Sequence, residues 1–174
     1  MRCAQEIRWE PPARGWVALN TDGSVKNGQA AAGGVLRDES GRILKAFAGN
    51  VGEASITRAE MEGIVYGLRM AWEEGFRRVV IQTDSQAAIQ LIEGADERTP
   101  HFLAVQSARR LLDREWQVRL VHVFREGNYA ADYLASVGHR LPIGFHSREE
   151  PDPLLNYWMY FDVMGVETSR MINI

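Results

Sequence analysis

With 174 residues, 45% of them hydrophobic, and a formal net charge of −3, the chain has material for one full core and too little for two ordinary domains. Its single cysteine, Cys3, excludes an internal disulfide and a cysteine-rich zinc site, and favours an intracellular, reducing compartment such as the nucleus or cytoplasm. No stretch has the apolar core of a signal peptide or the length to span a membrane, so a non-secreted protein with no membrane partner is expected.

In chain order, residues 16–20 and 30–36 read as strands, and 42–47 as a third after the Asp38-Glu39-Ser40-Gly41 turn. Two hairpin connections in series make these three strands antiparallel. Thr57 opens a helix that runs to about Glu74 and stops at Gly75, with Met61, Ile64, Val65, Leu68 and Trp72 on one face. Residues 77–83 form a short strand of the fully buried kind, and a helix follows directly after Asp84-Ser85. Thr99-Pro100 reads as the cap and first position of a further helix to about Asp113, and residues 116–124 as a fifth strand. Asn128 then caps a helix in which Ala131, Leu134, Ala135 and Gly138 make a narrow face for close packing.

The expected fold class is α/β: a five-stranded mixed sheet, its first three strands antiparallel, flanked by helices. Residues 1–139 are expected to form one domain with a short N-terminal lead segment. In the remainder, 140–174, a Pro- and charge-rich linker over the surface to residue 153 precedes an apolar helix at 154–164. A tail this apolar is expected to dock on the domain or to bind a protein partner.

Four carboxylates stand at the borders of these elements: Asp22 in Thr21-Asp22-Gly23-Ser24, Glu60 in Arg58-Ala59-Glu60, Asp84 in Thr83-Asp84-Ser85, and Asp132 in Ala131-Asp132-Tyr133. Each has an ordinary structural reading. Asp22-Gly23 is a turn dipeptide, Thr57-x-x-Glu60 a capping box, Asp84 a cap for the next helix, and Asp132 a complement to a helix dipole. The reading that joins them is a fold that gathers all four around hard divalent cations, the donor set of a metal-dependent nuclease. Glu60 falls at the edge of the apolar stripe, half-sheltered, where a carboxylate needs something positive to meet it.

Several ordered motifs carry a resemblance. Leu19-Asn20-Thr21-Asp22-Gly23-Ser24, Gly33-Gly34-Val35-Leu36-Arg37-Asp38, Thr57-Arg58-Ala59-Glu60, Thr83-Asp84-Ser85 and His122-Val123-Phe124-Arg125-Glu126-Gly127-Asn128 followed by Ala131-Asp132 together resemble a type 1 ribonuclease H. The likeness is greatest to the reverse-transcriptase-associated subgroup of plant retroelements and spans about residues 9–138. It implies a ribonuclease H-like fold and endonucleolytic hydrolysis of the RNA strand of RNA/DNA hybrids, leaving 5′-phosphate and 3′-hydroxyl ends. Two Mg²⁺ ions would serve, Mn²⁺ being equally suited to oxygen ligands. Asp22 would bridge both, Asp132 would help hold the ion that activates water, and Glu60 and Asp84 the ion facing the leaving oxygen.

The resemblance also implies a mobile auxiliary group near the product phosphate. The ten-residue spacing to Asp132 points to His122, whereas strand register puts His122 inside the fifth strand and Arg125 in the loop, which favours Arg125. Gly23 would let a backbone amide approach the RNA, Ser55 would contact a DNA phosphate, and Asn20, Ser24 and Asn128 are polar neighbours of the carboxylates. Where the family often has an Asn pair, this chain has Ile56-Thr57, which alters the expected 2′-hydroxyl contact. A basic protrusion is replaced by the short acidic linker Gly94-Ala95-Asp96-Glu97-Arg98-Thr99-Pro100, and Arg109 and Arg110 read as a solvated face. Two other classes stay open: a domesticated, non-cleaving nucleic-acid-binding or protein-interaction module, and another nuclease or strand-transfer enzyme of the same superfold.

Overall fold

Val35 and Leu36 are neighbours in the chain and face opposite cores. Leu36 packs with Leu19, Phe47, Ile64 and Leu68, and Val35 with Ala46, Leu134, Leu155 and Met159. The strand that carries them therefore lies between two layers, as alternation along a strand requires when both faces are covered. The computed structural model describes residues 1–94 and 97–174. In it β2 (Val17–Lys26), β3 (Gln29–Arg37) and β4 (Ile43–Glu53) run antiparallel, followed by α1 (Ile56–Glu73), β5 (Arg78–Thr83), α2 (Gln86–Gly94), α3 (Phe102–Leu112) and β6 (Gln117–His122). A 3-10 turn (Arg125–Gly127) leads into α4 (Tyr129–Gly138). The helices α1, α2 and α3 share the Leu36 core, and α4 shares the Val35 core with a later helix, α5 (Pro153–Val163).

The fold class is the α/β arrangement read from the sequence, but the main sheet has six strands, in the order β6-β5-β2-β3-β4-β7. The additional strand, β7 (Gly144–Ser147), pairs with β4 inside the stretch read as a surface linker. Aromatic packing anchors it. Phe145 stacks on Tyr66 with ring centroids 4.5 Å apart, and sits over Gly49, where any Cβ would come within 2.4 Å of the ring. A second sheet of two strands, absent from the sequence reading, joins β1 (Arg2–Ile7) to β8 (Thr168–Asn173) and so brings the two chain ends together.

Two local readings are corrected. Helix α3 begins at Phe102, not at Pro100: Thr99 Oγ1 accepts the His101 amide at 3.3 Å and holds a turn before the helix starts. Arg109 is not a solvated side chain, since its Nε donates to Ile92 O at 2.9 Å and satisfies a carbonyl at the end of α2. Of the acidic linker, Ala95 and Asp96 lie outside the described residues. No described helix is long and apolar enough to cross a membrane.

Candidate active site

Parallel register sets the site. Thr21 of β2 pairs with Thr83 of β5, and Thr83 with His122 of β6, so three strands come level at their carboxyl ends. One step further along the chain lie Asp22, Asp84 and Val123, the edge at which open α/β sheets bind ligands. Two helices are drawn against this edge by glycines. A Cβ on Gly23 would lie 2.8 Å from the Glu60 backbone nitrogen, and one on Gly33, the register partner of Asp22, 2.4 Å from the Ala135 nitrogen. Only bare backbone lets α1 and α4 approach this closely, and these helices carry Glu60 and Asp132.

The ordinary structural readings fail for Asp22, Glu60 and Asp84, whereas Asp132 does stand in the first turn of α4, where a carboxylate complements the helix dipole. Asp22 lies within β2 and not in a turn; the hairpin turn falls at Asn27 and Gly28, both at positive φ. The N-cap of α1 is Ser55, whose side chain accepts the Arg58 amide, so Thr57 and Glu60 form no capping box. Ser85 accepts the Ala88 amide at 3.1 Å, the cap contact once assigned to Asp84. Neither Glu60 nor Asp84 caps a helix, and Asp22 Oδ1 accepts the Gly23 amide at 2.9 Å.

Asp22, Glu60 and Asp84 each offer an oxygen, and these three atoms lie within 4.8 Å of one another. Asp132 joins them through Asp22, with which it shares a hydrogen bond. Glu60 is more deeply placed than its stripe position suggested, at 6% exposure, and its Oε2 is buried without a partner. Burial first, then the charges of Glu60, Asp84 and Asp132, push the Asp22 carboxyl up to about 10. Burial and then Asp84 push Glu60 up to about 7, and burial raises Asp84 as well. Like charges held together away from water favour protonation unless a cation arrives.

Arg125 and His122 border this cluster from different elements. His122 is the last residue of β6, its ring edge-on to Phe124 at 5.5 Å. Arg125 opens the 3-10 turn, is 65% exposed, and places Nη2 3.4 Å from Asp132 Oδ2, whose charge holds the guanidinium above its usual range. Ser24 is engaged by His139 Nε2 at 2.9 Å, and Ser55 and Thr57 open α1 at the surface, Ser55 exposed and Thr57 partly so.

Beneath the carboxylates runs a buried polar chain that the sequence reading largely missed. Asn128 makes no side-chain cap on α4; its Nδ2 donates to Thr21 O at 3.0 Å, and its Oδ1 accepts from Asn20 Nδ2 at 3.0 Å. Asn20 Oδ1 in turn accepts from Arg37 Nη2 at 2.9 Å, and Arg37 Nη1 meets Asp162 of α5 at 2.7 Å. Arg37 also lies 3.8 Å over the Trp9 ring, and Trp9 Nε1 donates to Gln82 near the end of β5 at 2.9 Å. The backbone next to Asp22 is thus fixed by both chain ends. Two signals pointed this way: an arginine inside the apolar run Gly33-Gly34-Val35-Leu36-Arg37, and a lone acid on an otherwise apolar helix.

A mixed sheet with its carboxylates at this edge defines a ribonuclease H-like fold. The crystal structure of ribonuclease H1 from the halophilic archaeon Halobacterium salinarum matches it with a TM-score of 0.66 at 29% identity, over 72% of this chain and 98% of that one. A family model described as reverse transcriptase-like matches residues 20–138, and the chain belongs to that family. An Arabidopsis thaliana protein described as a candidate ribonuclease H is 36% identical over 176 residues, which is 99% of this chain but only 28% of that protein. Ribonuclease HI of H. salinarum is 30% identical over 131 residues, 73% of this chain and 66% of its own length. LC11-RNase H1, solved in complex with an RNA/DNA hybrid, matches with a TM-score of 0.62 over 70% of this chain and 94% of its own, at 23% identity, a likeness of fold.

Proposed function

We propose that this chain is a metal-dependent endoribonuclease that hydrolyses the RNA strand of RNA/DNA hybrids. The observation that carries the reading is the gathering of Asp22, Glu60 and Asp84 within 4.8 Å, with Asp132 in reach, at one edge of the sheet. Ribonuclease H relatives support the reaction class, and the hybrid held by LC11-RNase H1 supports the substrate. The residues fit hard cations. Every donor is an oxygen, Glu60 Oε2 lacks a partner, and raised carboxyl pKa values mark charge that a cation relieves.

Asp22, Glu60, Asp84 and Asp132 are the residues that would hold Mg²⁺ or Mn²⁺, with Asp22 central to the set. Divalent ions bound there supply charge stabilisation for the entering and departing oxygens of an in-line displacement and a water of lowered pKa. The chain supplies position. Asn128 and Asn20 hold the Thr21 carbonyl and so the direction of Asp22, while Arg125, mostly exposed beside Asp132, would be able to exchange that carboxylate for phosphate if cations neutralised it. His122 and Arg125 stand on the side of the cluster formed by Asp84 and Asp132. Ser55, at the outer end of α1, would meet a DNA phosphate, and Thr57 stands where the 2′-hydroxyl contact would be made.

The deciding experiment offers labelled hybrid, duplex RNA, single strands and duplex DNA to the protein with Mg²⁺, with Mn²⁺ and with chelator. Cleavage confined to the RNA of the hybrid, dependent on a cation and absent in Asp22→Asn, is the expected result. Binding without cleavage by the parent protein points instead to a non-cleaving module, and cutting of duplex DNA to another nuclease of the superfold.

A further inference from the structure

Beside the carboxylates lies a cleft of about 300 Å³ bordered by Asp84, Gln86, His122, Phe124, Arg125 and Arg170. Its last residue comes from β8, beyond the region matched by the family model, and the cleft's two guanidinium groups come from separate elements. Arg170 is built into place. Its Nη1 stands 3.0 Å from both carboxylate oxygens of Glu126, and its guanidinium lies 4.7 Å over the Phe124 ring. Glu126 is largely buried and Arg170 is 39% exposed, so the pair is anchored on its inner side and open on its outer side.

Two physical arguments give the cleft a ligand. An arginine has five donors in a planar fork, and the Glu126 contact uses one nitrogen, so Nη2 and Nε are not taken up by that pair while the side chain it anchors lines the cleft. The second argument concerns charge. A protein of net charge −3, whose site is a cluster of carboxylates, repels a polyanion except where local cations stand, and affinity for nucleic acid rests on phosphate neutralisation. Arg125 and Arg170 are the two cations that line the same cleft as Asp84.

We propose that this cleft is a phosphodiester-binding subsite for the strand presented to the carboxylates, with Arg170 on the terminal strand β8 as its fixed cation and Arg125 as its mobile one. The proposal rests on the nucleic-acid reading above. In it, the pairing of β1 with β8 is part of substrate recognition, because it is what places Arg170 beside Asp84.

The test is carried out on the full chain in an Asp22→Asn background, so that substrate survives, with binding followed by fluorescence anisotropy of a labelled hybrid at several salt concentrations. Arg170→Gln keeps a polar contact to Glu126 and removes the charge. It should weaken hybrid binding by about five- to tenfold and make the slope of log K against log salt shallower by about one, the signature of one phosphate contact. Arg170→Lys should keep the parental slope. If Arg170→Gln does not fold, as judged by circular dichroism, Arg125→Gln takes its place with the same expected change in slope, since that side chain is mostly exposed. Unchanged affinity, or weaker binding at an unchanged slope, overturns the subsite even if the parent protein cleaves hybrids. An Arg170-dependent slope on another nucleic acid, in a parent that cleaves no hybrid, upholds the subsite and removes the ribonuclease H reading.

Discussion

Arg37 and Asp22 are ionisable groups buried a few residues apart along neighbouring strands, and they differ in what faces them. Arg37 has Asp162 at 2.7 Å, Asn20 at 2.9 Å and the Trp9 ring at 3.8 Å. Asp22 has Glu60, Asp84 and Asp132. One end of the polar chain beneath the sheet is charge-matched and the other is charge-opposed, and Asn20 and Asn128 connect the two. A matched buried pair holds geometry, whereas an opposed cluster stores a demand for cations. Folding pairs the first charge by itself, although Asp162 Oδ1 stays without a hydrogen-bond partner, and the second is to be met by a ligand.

Substituting one member of each set separates these roles most sharply. Asp22→Asn should reduce hydrolysis by more than about a thousandfold, as loss of a central electrostatic element does, yet raise metal-free stability at neutral pH by roughly 2 kcal/mol, because an amide is buried beside the other carboxylates without having to take up a proton. Steady-state cleavage and urea denaturation in chelator measure the two effects. Equal hydrolysis by variant and parent would remove Asp22 from the centre of the site.

Asp162→Asn should act in the opposite direction on stability. It leaves the fully buried Arg37 cation without its counter-charge, at a cost of about 3–5 kcal/mol. Burial lowers the Arg37 pKa and raises that of Asp162 even with the pair formed, so desolvation outweighs mutual attraction here. The double variant Arg37→Met with Asp162→Leu should therefore recover most of the loss. A single variant as stable as the parent in urea would show that the matched end holds nothing.

The same contrast has a pH signature. Glu60 is pushed up to about 7 and Asp22 to about 10, both above the value of about 4 in an unfolded chain. Across that window the metal-free fold binds more protons than the unfolded chain. Its stability is therefore fullest near pH 4 and falls as pH rises through 7. Thermal melts in chelator should show Tm declining from pH 5 to pH 8, and Mg²⁺ should raise Tm more at pH 8, where protons no longer compete for the carboxylates. In Asp22→Asn the decline should be shallower. A Tm in chelator that climbs over this range would contradict the opposed-charge account.

What the sequence disclosed divides along the same line. Strands β2 to β6 and helices α1 to α4 were legible because their apolar residues recur at the strand or helix period and their ends carry turn or cap residues. The carboxylates were legible because each sits in a short motif within or directly after one of those elements. β7 was not, since a four-residue strand held by one aromatic stack carries no period, and neither was the β1–β8 pairing, a contact between chain ends. The caps were misassigned among near neighbours, Ser55 for Thr57 and Ser85 for Asp84, because hydroxyls and carboxylates compete for the same backbone amides. Long-range partners such as Arg37 and Asp162 are 125 residues apart, a separation over which local pattern says nothing.

The smallest expected effect concerns the two groups at the rim, where matched and opposed charge meet. Arg125 is mostly exposed and pairs with Asp132 at 3.4 Å, so its guanidinium can exchange that carboxylate for phosphate without disturbing packing. His122 ends β6 against Phe124 and is tied to the sheet by its register with Thr83, so it has less freedom to follow a departing product. Arg125→Ala should therefore slow multiple turnover by a few-fold, about the scale of one exposed charged contact, with single-turnover cleavage little changed. His122→Ala should lower Tm through lost edge-to-face packing and change turnover less. If His122→Ala instead leaves Tm in place and cuts turnover by about tenfold or more, the size expected for a lost proton-transfer group, the ten-residue spacing to Asp132 identifies the auxiliary group and the strand register does not.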